Sequence, residues 1–178
     1  MPGKELTLDE LMELVDDAWC RQCLLHIAAS SPEITTTIVK CLKKRVHLID
    51  RTVIADELYN DLNCLDVEEL WAHSGRTREG YVDVYEKASE MFQEIVEPGI
   101  EEMKRLQEKS LYHEASEYCM GIMKGIANFS TGNSEFLDWI AGDPKDAIKE
   151  TFITWKNGNK RRSREQAEVK SLYHALIE

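Results

Sequence analysis

Leu6-Thr7-Leu8-Asp9-Glu10-Leu11 reads as a complete helix start. Thr7 can cap the first turn, Glu10 can reach back to the cap amide, and Leu6 can staple onto Leu11. The pattern returns at Leu65-Asp66-Val67-Glu68-Glu69-Leu70, and shorter versions stand at Ser31-Pro32-Glu33, at Asp50, at Asp143-Pro144 and at Ser163 with Gln166. Apolar residues follow these starts at intervals of three, four and seven, the repeat of one helix face. The chain therefore predicts an all-α fold: about eight antiparallel amphipathic helices joined by short loops, as an irregular bundle or a short α-solenoid.

Leu8, Leu11, Met12, Val15, Ala18, Trp19 and Leu25 give the first predicted helix a single core-facing stripe. Ile34-Thr35-Thr36-Thr37-Ile38-Val39 is β-branched throughout, so residues 34–54 carry a small hairpin as the competing reading. The Ser-Pro start and the cations Lys40, Lys43, Lys44 and Arg45 at the far end favour helix. Tyr81, Tyr85, Ala88, Phe92, Ile95 and Val96 form another inward stripe. Pro98-Gly99 predicts a kink or a tight turn before Ile100, Met103 and Leu106 resume the spacing.

Residues 111–129 place Ala115, Tyr118, Ile122, Ile126 and Phe129 inward, and residues 130–134 read as a loop. A short helix around Phe136 and Trp139 follows. Asp143 is expected to cap the next helix, whose stripe is Ala147, Ile148, Phe152 and Trp155. Residues 1–158 are expected to form one all-helical domain, with 159–178 a basic connector and a C-terminal helix packed on it.

With 43% hydrophobic residues and 14 aromatics the chain can build a core. Its net charge of −11, from 33 acidic against 22 basic residues, argues against broad nucleic-acid or anionic-membrane binding and favours basic partners. Met1-Pro2-Gly3-Lys4 leads into a charged amphipathic segment without the apolar run of a secretory signal, and the longest nearly apolar run, residues 23–29, is too short to span a bilayer. Five cysteines cannot all pair, so reduced thiols and a cytoplasmic location are expected.

Cys20-Arg21-Gln22-Cys23, with His26, is the nearest approach to a metal motif. Metal or redox work would need these thiols at a turn or a helix N-terminus, with further ligands. They lie inside a predicted helix and no second C-x-x-C exists, so buried packing cysteines are the expectation. His113-Glu114-Ala115-Ser116-Glu117 lacks the second His of a metalloprotease helix. Phosphate-binding glycine loops and nucleophile elbows are missing. No catalytic residue, metal or cofactor is expected.

Tyr112-His113-Glu114-Ala115, followed by Gly121 and Gly125, resembles one hairpin of tetratricopeptide-like repeats. Glu114-Ala115, residues 121–126, Ser134-Glu135-Phe136 and Trp139 are also similar to the helical region accompanying SWIM-type zinc-finger proteins, whose zinc finger is absent here. Both resemblances imply a scaffold for contacts. Lys109-Ser110-Leu111-Tyr112-His113 recurs as Lys170-Ser171-Leu172-Tyr173-His174, with no match continuing on either side.

The function expected is a non-enzymatic helical scaffold for protein–protein interaction or self-association, including a homodimer. Phe136, Trp139 and the basic residues Lys160, Arg161, Arg162 and Arg164 are the expected partner-binding set. Two alternatives remain: a ligand-binding protein or enzyme with a site assembled from distant helices, and a nucleic-acid-associated regulator using residues 156–164. Trp71, Trp139 and Trp155 lie on apolar stripes and are expected in the core. Any of them found exposed becomes an interface candidate, because interfaces enrich tryptophan.

Overall fold

The computed structural model describes residues 16–46, 49–76, 80–140, 142–159 and 164–177. Among them the chain is all-α: eight helices, one short 3-10 helix and a ladder of two two-residue strands. The helix start at residues 6–11 and the basic residues Lys160, Arg161 and Arg162 lie outside the described residues. The chain divides between residues 48 and 49 into two units. No helix among the described residues is long and apolar enough to cross a membrane.

The first unit contains α1 (Asp17–Ser30) and α2 (Pro32–Val46). Asp16 is extended, and its carboxylate accepts the Trp19 N–H at 2.7 Å. That cap starts α1, and Leu8, Leu11, Met12 and Val15 of the expected stripe lie outside the described residues. Trp19 and Leu25 are exposed, and Cys20 and Cys23 are half-buried rather than in a core. Over residues 34–46 the competing hairpin gives way to helix. The Thr35, Thr36 and Thr37 hydroxyls donate to the carbonyls of Ser31, Pro32 and Glu33 one turn back, which satisfies the β-branched run locally. Thr35 also donates to the Ala28 carbonyl at 2.5 Å, closing the α1–α2 connection.

The second unit is built around one helix. Its elements are α3 (Arg51–Asn63), α4 (Val67–His73), β1 (Gly75–Arg76), β2 (Tyr81–Val82), α5 (Val84–Glu108), α6 (Tyr112–Ser130), the 3-10 helix (Glu135–Trp139), α7 (Asp143–Gly158) and α8 (Arg164–Ile177). Helix α6 packs against α3, α5, α7 and α8, and exposes only His113, Lys124, Asn128 and Ser130. Its small residues allow this. A Cβ on Gly121 would stand 2.7 Å from Ile54 Cβ, and one on Gly125 would stand 2.9 Å from the Ala55 carbonyl. The glycine strip is thus filled by α3.

Helix α5 continues through Pro98-Gly99, so of the two expectations there, a kink or a tight turn, the tight turn is corrected. Proline removes one helical N–H, but Pro98 and Glu94, whose carbonyl loses that donor, both face solvent. Val96, Ile100, Met103 and Leu106 keep the stripe buried across the site. Helix α7 starts at Asp143 with Gly142 in the cap position, so Asp143 is not the cap. Its carboxylate instead accepts a hydrogen bond from the Ser89 hydroxyl, tying α7 to α5.

Trp155 is fully buried and donates from Nε1 to Ser116 Oγ at 3.2 Å, while Gln107 Nε2 donates to its carbonyl at 2.8 Å. Phe152 stacks on Tyr173 with centroids 4.1 Å apart, holding α8 to α7. Arg51 bridges Glu168 of α8 at 2.5 Å and Glu117 of α6 at 3.7 Å.

Candidate functional site

Helix α4 is short and stands on a single buried side chain, Leu70. Asp66 caps it by accepting the Glu68 N–H at 2.8 Å, and half-buried Leu65 precedes the cap, as the staple pattern predicts. Everything else α4 presents after Val67 is exposed: Glu68, Glu69, Trp71, Ala72 and His73. The chain then leaves through Gly75, whose φ of +83° suits glycine, into the small ladder that pairs Gly75 with Val82 and Arg76 with Tyr81.

Trp71 is 54% exposed. Its ring meets Trp139 of the 3-10 helix edge-on, with centroids 5.0 Å apart and planes at 82°. Tyr85, from the first turn of α5, lies 5.5 Å from Trp139 at 42° and is 56% exposed; Tyr81 beside it in sequence is more open still. The 3-10 helix therefore meets α4 and the start of α5, more than fifty residues earlier in the chain, in one aromatic surface. The Asp83 cap sets the α5 end of it, its carboxylate accepting the Tyr85 and Glu86 N–H groups.

Beside this surface runs an open groove of about 830 Å³, lined by residues 63–68, Trp71 and residues 134–136. Its acidic side chains are Asp66, Glu68 and Glu135, and no Lys, Arg or His lines it. Neither Glu68 nor Glu135 has an ion-pair partner among the described residues. On the other flank of α4 a second groove of about 530 Å³ carries Asp61, Glu69 and Glu94 against Lys87 and His73. The α4 ridge is thus aromatic at its tip and acidic along both sides. Such a surface attracts cations and repels phosphates.

The expected partner-binding residues separate. Trp139 is half-buried and is the hub of the aromatic cluster. Phe136 is fully buried in the core, so its side chain is not a surface anchor, a correction that follows from the 3-10 helix turning it inward. Lys160, Arg161 and Arg162 lie outside the described residues; Arg164 is the first residue of α8. Of the three tryptophans expected in the core, Trp155 is there and Trp71 is not. Tyr81 and Tyr85, expected inward, are exposed: Tyr81 lies in β2, ahead of the helix, and Tyr85 in the first turn of α5.

Glu68, Glu135 and Tyr85 are absent from the sequence-derived set. Single carboxylates on helix faces carry no local signal, and only the fold brings residues 66–71 and 134–139 together. Among the described residues no group of three His, Cys, Asp or Glu side chains is placed to hold a metal ion. Comparison of the chain with family models, curated proteins and solved structures finds no match.

Proposed function

We propose that the second unit is a protein-interaction module that receives a basic segment of a partner protein in the groove beside Trp71. The observation that carries this reading is the exposed Trp71 indole, braced edge-on by Trp139, on the wall of a groove whose charges are all carboxylates. A lysine or arginine placed there gains from the ring face and from Glu68 and Glu135 together. The bracing also fixes the indole beforehand, so little side-chain freedom is lost on binding. The net charge of −11 adds long-range attraction for a basic partner.

The test is a fluorescence titration of the full chain with a basic peptide of alternating Lys/Arg and Ser, beside its Glu-for-Lys/Arg counterpart. The basic peptide is expected to bind, more weakly as salt rises, and the acidic one to leave the emission unchanged. Trp71→Ala, read by calorimetry, and the Glu68→Lys/Glu135→Lys pair are each expected to weaken binding by at least about tenfold, the size of a hot-spot loss. Unchanged affinity in both variants would mean attraction to the acidic surface at large, and would overturn the placement.

A further inference from the structure

Helix α3 packs chiefly on α6 and only lightly on α5, so a seam stays open between α3 and α5. A pocket of about 230 Å³ lies in this seam, floored by Tyr118 and Ile122 of α6. Ile54 and Leu58 wall it on α3, and Ile95, Pro98 and Gly99 wall it on α5. Gly99 keeps the α5 wall low, since a Cβ there would already stand 3.2 Å from Ile122 Cδ1. The pocket shares Asp61 and Ile95 with the groove of about 530 Å³ on the flank of α4, so the two form one trough. Along α5 its lining residues Lys87, Met91, Glu94, Ile95, Pro98 and Glu102 recur at intervals of three and four. They make one helix stripe, about 22 Å long at 1.5 Å per residue. That length takes about seven residues of an extended chain.

The rims are acidic. Glu57 and Asp61 stand on the α3 wall, Glu69 on α4, and Glu94 and Glu102 on the α5 wall. No Lys, Arg or His lines the pocket at Pro98; Lys87 and His73 belong to the groove beside α4, and Lys87 is bridged to Glu90 at 3.0 Å. Glu57, Asp61 and Glu69 have no ion-pair partner among the described residues. Burial, then the Glu102 and Glu57 carboxylates, hold the Tyr118 phenol above its usual range, so both walls bring negative charge to this floor. An apolar floor between carboxylate rims complements a segment whose apolar side chain lies between lysines or arginines. A purely polar basic segment would leave the floor uncovered, and an acidic one would meet like charge.

We propose that the α3–α5 trough is a second docking site, for a partner-protein segment of that chemistry. Its apolar side chain seats over Ile95 and Pro98, and its flanking cations meet Glu57, Asp61 and Glu102. The proposal does not depend on the groove beside Trp71. The test is an isoleucine-methyl NMR titration of the full chain with a peptide of repeated Lys-Leu-Lys, beside one of repeated Lys-Ser-Lys. The leucine peptide is expected to move the signals of Ile54, Ile95 and Ile122, in wild type and equally in Trp71→Ala. The serine peptide is expected to act on them at least about tenfold more weakly, because it brings no apolar side chain to bury. Glu57→Lys/Asp61→Lys is expected to weaken the leucine peptide by at least about tenfold, its lysines then meeting like charge.

The comparison of the two peptides on wild type decides the matter even if that variant fails to fold. Equal affinities would mean attraction by charge alone and would overturn the proposal. Binding that leaves all three isoleucine signals unmoved would place the site elsewhere, and no binding would overturn it outright. Signals that move in wild type but not in Trp71→Ala would make the trough part of the Trp71 groove and overturn a separate site.

Discussion

At Gly125 an added methyl would meet the Ala55 carbonyl at 2.9 Å and Leu58 Cβ at 3.0 Å; at Gly121 it would meet Ile54 Cβ at 2.7 Å. Helix propensity favours alanine by about 1 kcal/mol, but overpacking against the α3 backbone costs more. Gly121→Ala and Gly125→Ala are each expected to lose about 1–3 kcal/mol in denaturant unfolding. Gly99→Ala, which meets only the flexible end of Ile122 at 3.2 Å, is expected to be neutral or mildly stabilising. The tryptophans divide the same way. Trp155→Ala is expected to cost about 3–5 kcal/mol as a buried ring is lost. Trp71→Ala gives up an edge contact worth about 0.5–1.5 kcal/mol and little burial. A large cost at Trp71 would make it a structural residue rather than a binding one. Burial pushes the Cys119 thiol well above the ordinary thiol range, so alkylation of the folded protein is expected to reach exposed Cys41 and Cys64 and to reach Cys119 only on unfolding. The glycine pair was visible in the sequence as a strip of missing bulk. Whether α3 or a partner filled it depended on contacts about seventy residues apart, which spacing along one helix does not encode.

Helix ends were legible where a capping side chain bonds within its own turn. Asp50 accepts the Thr52 N–H at 2.7 Å, and this bond holds its carboxyl below the usual carboxylate range. A lowered folded-state pKa stabilises above the unfolded pKa and is lost as pH falls through the folded value. Asp50→Ala is therefore expected to lower the melting temperature at neutral pH, with the gap to wild type closing as pH drops below about 4. A gap constant with pH would show that the carboxylate charge plays no part in the cap. Asp143 was misread because the sequence shows a capping residue type but not Ser89, which takes its carboxylate. Of the kink and the tight turn expected at Pro98, the turn does not form, because burial on either side of it outweighs one lost hydrogen bond. The repeated pentapeptide shows the limit most directly. Residues 170–174 are helical throughout, whereas residues 109–113 cross a turn in which Ser110 has φ of +61°. Identical residues take different conformations because the second copy continues a helix and the first links two.

For the molecule as a whole, the 3.6-residue period is a local property, and the all-α architecture could be read from it. The site could not, because the groove joins residues 66–71 to residues 134–136, more than sixty positions away. What composition did foreshadow is its sign: the chain is acidic, and carboxylates stand on both flanks of α4. The central claim is that a basic segment docks at the Trp71–Trp139 edge of that groove. Hydrogen exchange of the full chain with and without the basic peptide tests it most directly, since it reports position as well as affinity. The account predicts slowed exchange in residues 64–71 and 134–139, absent in Trp71→Ala. Slowed exchange confined to other segments, with these two untouched, would contradict it.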